Sequence, residues 1–149
     1  MIEQASTEIG ELIDSLGLVA QIESGRYRPL VRPTNTLALA RAASDLVGED
    51  DVEIAGSAGS AVAVDAHAAQ RAIASLVVCM QRYGGIDRVR IEVADTRITL
   101  SPVLPEAAPV VLAEDLRDLG AAAARVVLEA IGGSLELAGE ALVIHLPPS

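Results

Sequence analysis

The sequence has few of the residues on which several common protein classes depend. It contains one cysteine, Cys79, which excludes an internal disulfide framework and a cysteine-cluster metal site. Trp and Phe are absent, so the core must be aliphatic, and the two tyrosines are the only aromatic residues. Lysine is absent as well, and all 11 basic residues are Arg. No apolar run approaches the roughly 20 residues of a membrane-spanning helix. Residues 1–4 lack the basic and apolar regions of a signal peptide.

What remains is an acidic chain of single-domain length. Its 149 residues carry a formal net charge of −10, and 51% are hydrophobic, so one domain can bury a substantial core. An acidic surface repels phosphate backbones and anionic lipid head groups, so we expect neither nucleic acid nor membrane insertion. These properties predict a soluble, cytoplasmic protein.

Hydrophobic spacing predicts the helices of the chain. An N-terminal helix is expected to begin near residue 2 and to stop by Gly25, with Pro29 just beyond. The other predicted helices are residues 36–47 after the capping residues Thr34 to Thr36, residues 65–83, and residues 116–130. Three prolines between residues 102 and 109 predict an irregular loop.

Alternation of apolar and polar residues predicts three β-hairpins. The paired strands are expected at residues 52–54 with 62–64, 89–93 with 98–100, and 135–137 with 142–146. Alternating strands bury one face of a sheet. The predicted fold class is therefore α+β: a two-layer α/β sandwich with a mixed or antiparallel sheet covered on one face by helices, plus an N-terminal helix.

Three stretches resemble, in the same order, the conserved core of bacterial sensor histidine kinases. Residues 9–26 resemble the end of the second helix of the dimerisation hairpin in that family. Residues 65–83 are similar to its N-box helix, whose second asparagine holds the Mg²⁺ that bridges the ATP phosphates. Residues 119–133 are similar to its last glycine box and the helix after it, and Ile144-His145-Leu146-Pro147 resembles its closing strand.

The resemblance implies a particular domain organisation and fold. Residues 1–24 would form a dimerisation-type helix, and residues 25–149 a degenerate histidine-kinase ATPase-like domain. The histidine phosphotransferases whose second domain is a degenerate kinase-like domain are also similar.

The ATP site implied by the resemblance lacks its usual ligands. The register places Ser75 and Cys79 where the family has the two asparagines, and a thiol is a poor ligand for Mg²⁺. The adenine-binding Asp box is expected after Leu100, where residues 101–105 contain neither Asp nor Gly. The following lid segment is short and rich in proline, which lacks the N–H that approaches phosphate. Of the last glycine box only Gly120 remains.

We therefore assign the degenerate pocket to Ser75, Cys79, Arg82 and Gly120, and we expect no catalytic residue, no bound cofactor and no metal. Arg82 suits the basic position on the phosphate side of the family's pocket. Cys79 is either a redox sensor or a small buried hydrophobe, and we favour the second. The flank that Ser75 and Cys79 share with Arg71 and Arg82 is either a residual anion pocket or a solvated helix edge, and we favour the second.

Other residues that bear reactive groups have simpler structural interpretations. His67 and His145 have no second ligand at metal-binding spacing, and we expect both at the surface or in structural roles. Asp115 and Asp118 are an acid–base pair or residues that begin a helix, and we favour the second interpretation. Gly132 and the glycine after it follow a helix, which predicts a C-cap turn and not a phosphate loop.

Three functions are compatible with a retained fold and an altered site. We favour a non-catalytic signalling or scaffolding module of a two-component pathway, which pairs as a homodimer through an apolar stripe on the N-terminal helix. The stripe consists of Ile9, Leu12, Ile13, Leu16 and Val19. The alternatives are a phosphotransferase-like domain that docks response regulators and a divergent ATP-binding kinase domain. A response regulator or a kinase is the expected partner. The phosphoacceptor histidine of the family would precede residue 1, and no histidine precedes His67.

Overall fold

A layer of helices packs on one face of a five-stranded sheet in the computed structural model, which describes Ile13, residues 16–56 and residues 58–149. The described helices are α1 (residues 16–23), α2 (Thr36–Val47), α3 (Ala66–Gly84), the short α4 (Ala108–Val111) and α5 (Leu119–Ala130). The strands are β1 (Val31–Asn35), β2 (Val52–Gly56), β3 (Ala61–Asp65), β4 (Val89–Ala94), β5 (Arg97–Ser101), β6 (Ser134–Ala138) and β7 (Ala141–His145). In this part of the chain no helix is both long and apolar enough to cross a bilayer.

The main sheet is mixed, as the sequence predicts. Its strand order is β2-β4-β5-β7-β6. Strands β2 and β4 run parallel, and every other neighbouring pair is antiparallel. Strands β1 and β3 form a separate two-stranded antiparallel sheet. The predicted hairpins β4–β5 and β6–β7 are confirmed.

The predicted hairpin between β2 and β3 is wrong. Strand β2 pairs with β4, and β3 pairs with β1. The connection explains the change of partner, because Ser60 is held at the start of α2. The Ser60 N–H donates to Thr36 Oγ1 at 3.0 Å, and Ser60 O accepts from the Thr36 N–H at 3.0 Å. These two hydrogen bonds place Ser60 beside the start of α2, so the strand that follows it, β3, pairs with β1 and not with β2.

Two other boundaries differ from prediction. Helix α5 begins at Leu119, so Leu116 lies outside it and is 64% exposed. The proline-containing stretch contains the short helix α4, because Pro109 occupies a first-turn position where its missing N–H costs nothing. The predicted helices α2 and α3 are present, with Asn35 and Asp65 as their N-caps. Residues 16–23 of the predicted N-terminal helix are helical, and its expected start near residue 2 lies outside the described residues.

The core lies between the sheet and helices α2, α3 and α5. Its large, fully buried side chains are aliphatic, and on α3 they include Ile73, Leu76 and Met80, as predicted. The alternate residues of β4, such as Arg90 and Glu92, are exposed on the opposite face of the sheet. Each buried Leu or Ile contributes roughly 1.5–3 kcal/mol through removal of apolar surface from water.

Substitution of Gly56 tests how closely β2 and β4 approach each other. Its φ is +107°, and a Cβ at this position would meet Val93 O and lie 2.7 Å from Val93 N. We expect Gly56→Ala to lower the free energy of unfolding by more than about 3 kcal/mol, because strain and a backbone clash combine. Gly139→Ala is the matched control, since φ is +63° there but no atom lies within 4 Å. It should cost about 1 kcal/mol. Urea unfolding of both variants measures this difference, and equal losses would contradict it.

Candidate functional site

The four predicted pocket positions come together where α3 passes the first turn of α5. Ser75, Cys79 and Arg82 lie on α3, and Gly120 lies at the start of α5. A Cβ built on Gly120 would lie 4.0 Å from the Cβ of Ser75. Arg82 is exposed, and its charge acts on the thiol of Cys79. The predicted positions therefore form one region of the fold.

Asp118 also lies in this region, beside Cys79. From the sequence, it is predicted only as a residue that begins a helix. Its side chain is buried, and its Oδ1 accepts a hydrogen bond from the Ala121 N–H at 3.0 Å. It is the N-cap of α5, which confirms the helix-start interpretation. Asp115 instead pairs with Arg117 at 2.9 Å. The two aspartates thus have separate partners, and the carboxylate of Asp118 lies at the positive end of the α5 dipole.

Gly120 has a structural role in this arrangement. A Cβ at Gly120 would lie 3.1 Å from Asp118 Oδ1, closer than most real Cβ contacts. Glycine therefore leaves the space in which the carboxylate caps α5. Gly120, which resembles part of the family's last glycine box, thus leaves room for the carboxylate of Asp118.

Cys79 is buried with no exposed surface, as favoured from the sequence. Burial of the thiol, together with the charge of Asp118 and a hydrogen bond with that carboxylate, raises its pKa to about 12. The guanidinium of Arg82 acts in the opposite direction. Cys79 is therefore a neutral thiol at pH 7. It lacks the accessible thiolate of a redox sensor.

The segment between β5 and α5 stands where the resemblance implies the adenine-binding box and the lid. Val103, just after β5, is buried, and its N–H donates to Glu140 O at 2.6 Å. Val110 and Val111 of α4 are also buried in the hydrophobic core. Apolar side chains of this segment thus belong to the core.

The end of the same segment is attached to the C-terminal part of α3. The Tyr83 hydroxyl donates to Arg117 O at 3.2 Å, and the Arg117 guanidinium lies 5.6 Å from the centre of the Tyr83 ring. The Arg125 side chain of α5 donates to Leu112 O. These contacts hold residues 112–118 between the two helices.

The remaining candidate residues have structural surroundings. His145 Nε2 lies 3.3 Å from Glu136 Oε2 on the outer face of the sheet. His67 lies in the first turn of α3. The N–H groups of Gly132 and Gly133 donate to carbonyls of the last turn of α5, which confirms a C-cap turn. Within the described ranges, no group of three or more His, Cys, Asp or Glu side chains could hold a metal ion.

The predicted dimer stripe is only partly within the described chain. Ile9 and Leu12 lie outside the described residues. Ile13 is 63% exposed and Leu16 is 41% exposed, whereas Val19 is half-buried.

The inward face of α1 was not identified from the sequence. Leu18 and Ile22, four residues apart, pack against the hydrophobic core. Beside this contact lies a groove of about 490 Å³ between α1, α3 and α5. Its polar residues include His67, Arg71 and Ser75, which share one side of α3 at four-residue intervals.

Comparison with solved structures identifies the fold. The chain matches the Acinetobacter baumannii histidine kinase AdeS with a TM-score of 0.70 and 15% identity, over 98% of this chain and 81% of that one. It matches the cytoplasmic segment of histidine kinase QseC with a TM-score of 0.69 and 10% identity, over 94% of this chain and 91% of that one. The fold is that of the histidine-kinase ATPase domain.

The ATP-binding domain of PrrB from Mycobacterium tuberculosis has this fold too. It matches with a TM-score of 0.60 and 24% identity, over 80% of this chain and 98% of that one. No protein-family model matches the chain, and no curated protein matches it in sequence. The fold class and the histidine-kinase resemblance predicted from the sequence are confirmed. Function must be argued from the site itself, because a shared fold does not determine activity.

The raised pKa of Cys79 predicts a specific pH dependence of stability. The folded state favours the neutral thiol, so its contribution is fully present below pH 9.0 and is lost as the pH rises toward about 12. Between about pH 8 and about pH 11, the wild type should lose about 2 to 3 kcal/mol more free energy of unfolding than Cys79→Ala. Urea unfolding of both proteins across this range measures the difference. The contributions of the other titrating groups are common to both proteins and cancel when the two free energies are subtracted. Parallel curves for the two proteins would contradict the assignment.

Proposed function

We propose that this chain is a non-catalytic histidine-kinase-like domain that acts through protein–protein contacts in two-component signalling. The observation that carries the proposal is the buried carboxylate of Asp118 at the N-terminus of α5. A helix N-terminus attracts phosphate because its N–H groups are unpaired and its dipole is positive. Here Asp118 occupies that end, so a phosphate would meet a negative charge in place of free donors.

The positions that would hold magnesium and adenine support the same proposal. The neutral thiol of Cys79 offers no oxygen ligand to Mg²⁺, a cation that prefers carboxylate, carbonyl and water oxygens. After β5, residues 101–105 stand where the resemblance implies the adenine-binding Asp, and they contain no Asp, while Val103 among them is buried. Both changes remove polar contacts that a nucleotide would require.

The packed segment between β5 and α5 supports it as well. A lid must move to admit and release a nucleotide. Val110 and Val111 would have to leave the core for residues 102–118 to open, and their apolar surface would return to water. The contacts between Tyr83 and Arg117 would also break.

A titration of ATP with Mg²⁺, followed by calorimetry and a melting curve, tests the proposal. We expect no heat of binding and no shift in Tm. The test is sensitive, since a ligand present at 100 times its Kd would stabilise the fold by about 2.7 kcal/mol. Asp118→Asn keeps a capping side chain and removes the charge, so binding gained by this variant alone would assign the exclusion to the carboxylate. Micromolar binding to the wild type, lost in Arg82→Ala, would establish a divergent nucleotide site and refute the proposal.

We also propose that the exposed side chains of α1 contact a second copy of the chain. Leu16→Asp should then convert a dimer into a monomer, because a carboxylate would be buried against apolar side chains. Leu46→Asp is the matched control, since Leu46 is 50% exposed on α2, outside the proposed contact. Light scattering after size-exclusion chromatography measures both masses. A Leu16→Asp variant that remains dimeric would rule out this interface.

A further inference from the structure

The connection between α1 and β1 is short and has one turn at which it can bend. Helix α1 ends at residue 23, and Gly25 follows with a φ of +74°. A Cβ at Gly25 would meet no atom within 4 Å, so the turn is not enclosed by the rest of the domain. The Arg26 side chain donates to Ser24 Oγ, and the Arg28 side chain donates to the Gly25 and Tyr27 carbonyls.

Asp65 joins this connection to the main domain. Its Oδ2 accepts from the Tyr27 hydroxyl at 2.9 Å and from the Leu30 N–H at 3.3 Å. Its Oδ1 accepts from the Ala68 N–H at 3.4 Å and caps α3. One carboxylate therefore links the chain that follows α1 to the first turn of the central helix.

The Tyr27 hydroxyl is well suited to a stable contact. The ring is partly buried against the core. Burial raises the pKa of Tyr27, and the hydrogen bond with Asp65 and the charge of that carboxylate raise it further. The hydroxyl therefore remains a donor throughout the neutral range. A hydrogen bond to a charged acceptor is roughly twice as strong as one between neutral groups.

We propose that Tyr27 and Asp65 form a latch that holds α1 against the histidine-kinase-like domain. When the latch is closed, Leu18 and Ile22 pack on the domain, and Ile13 and Leu16 face solvent. When the hydroxyl leaves Asp65, α1 pivots at Gly25 and exposes all four apolar side chains. The latch thus couples the position of α1 to the start of α3, and it does not depend on whether the domain binds nucleotide.

Limited proteolysis with trypsin tests the latch directly. The chain has no lysine, so trypsin cuts only after arginine, and the bond after the exposed Arg26 lies at the latch. Tyr27→Phe removes a single hydroxyl and keeps the ring. We expect cleavage after Arg26 to become at least about tenfold faster, since a charged hydrogen bond restrains opening by at least one factor of ten. Cleavage after Arg90 and Arg97, within the sheet, should not change.

Tyr83→Phe is the matched control, because it removes a hydroxyl that bonds to Arg117 O far along the chain. It should leave cleavage after Arg26 unchanged. A rate after Arg26 within twofold of the wild type in Tyr27→Phe would overturn the latch. So would an equal acceleration at Arg90 and Arg97, which would mean that the hydroxyl acts on global stability.

Asp65→Ser provides the second half of a double-mutant cycle. Serine still caps a helix, but its side chain is too short to reach Tyr27. The latch predicts selective acceleration after Arg26 in this variant, and no further acceleration when it is combined with Tyr27→Phe. Independent, additive effects of the two substitutions would show that the residues do not act on each other, and would overturn the proposal.

Discussion

Burial of α3 between α2, α5 and the sheet is the constraint on which the other features of this protein depend. Because the chain has no Phe or Trp, the core is filled with aliphatic side chains, and α3 contributes nine buried residues to it. Side chains of this helix and of its N-cap residue hold its neighbours in place. Asp65 binds the connection from α1, Cys79 faces Asp118 of α5, and Tyr83 holds Arg117.

The site follows from this arrangement, since three of its four predicted positions lie on α3. The histidine-kinase ATPase fold brings the first turn of α5 beside them. The groups that meet there are a buried carboxylate, a neutral thiol and a glycine that makes room for the carboxylate. A buried carboxylate and the packed segment between β5 and α5 thus occupy this region of the fold.

Sequence reasoning succeeded where local patterns decide the structure and failed where partners are chosen at a distance. The helical spacing of α3 and the alternation in β4 and β5 were sufficient to predict these elements. Alternation in β2 and β3 predicted strands, but their pairing depended on the bonds between Ser60 and Thr36. The resemblance placed Cys79 and Gly120 in one site. It did not identify Asp118, because a helix cap is common and its position beside Cys79 is a tertiary contact.

The sequence by itself determined the aliphatic core and the mixed α+β class. These follow from composition, periodicity and residue type, which require no knowledge of distant contacts. Only the tertiary structure decided that Asp118, the N-cap of α5, lies beside Cys79, and that Tyr27 reaches Asp65 across 38 residues of chain. Such contacts arise when the core brings separate helices together, because burial favours compact packing and the polar groups then pair with whatever lies within reach.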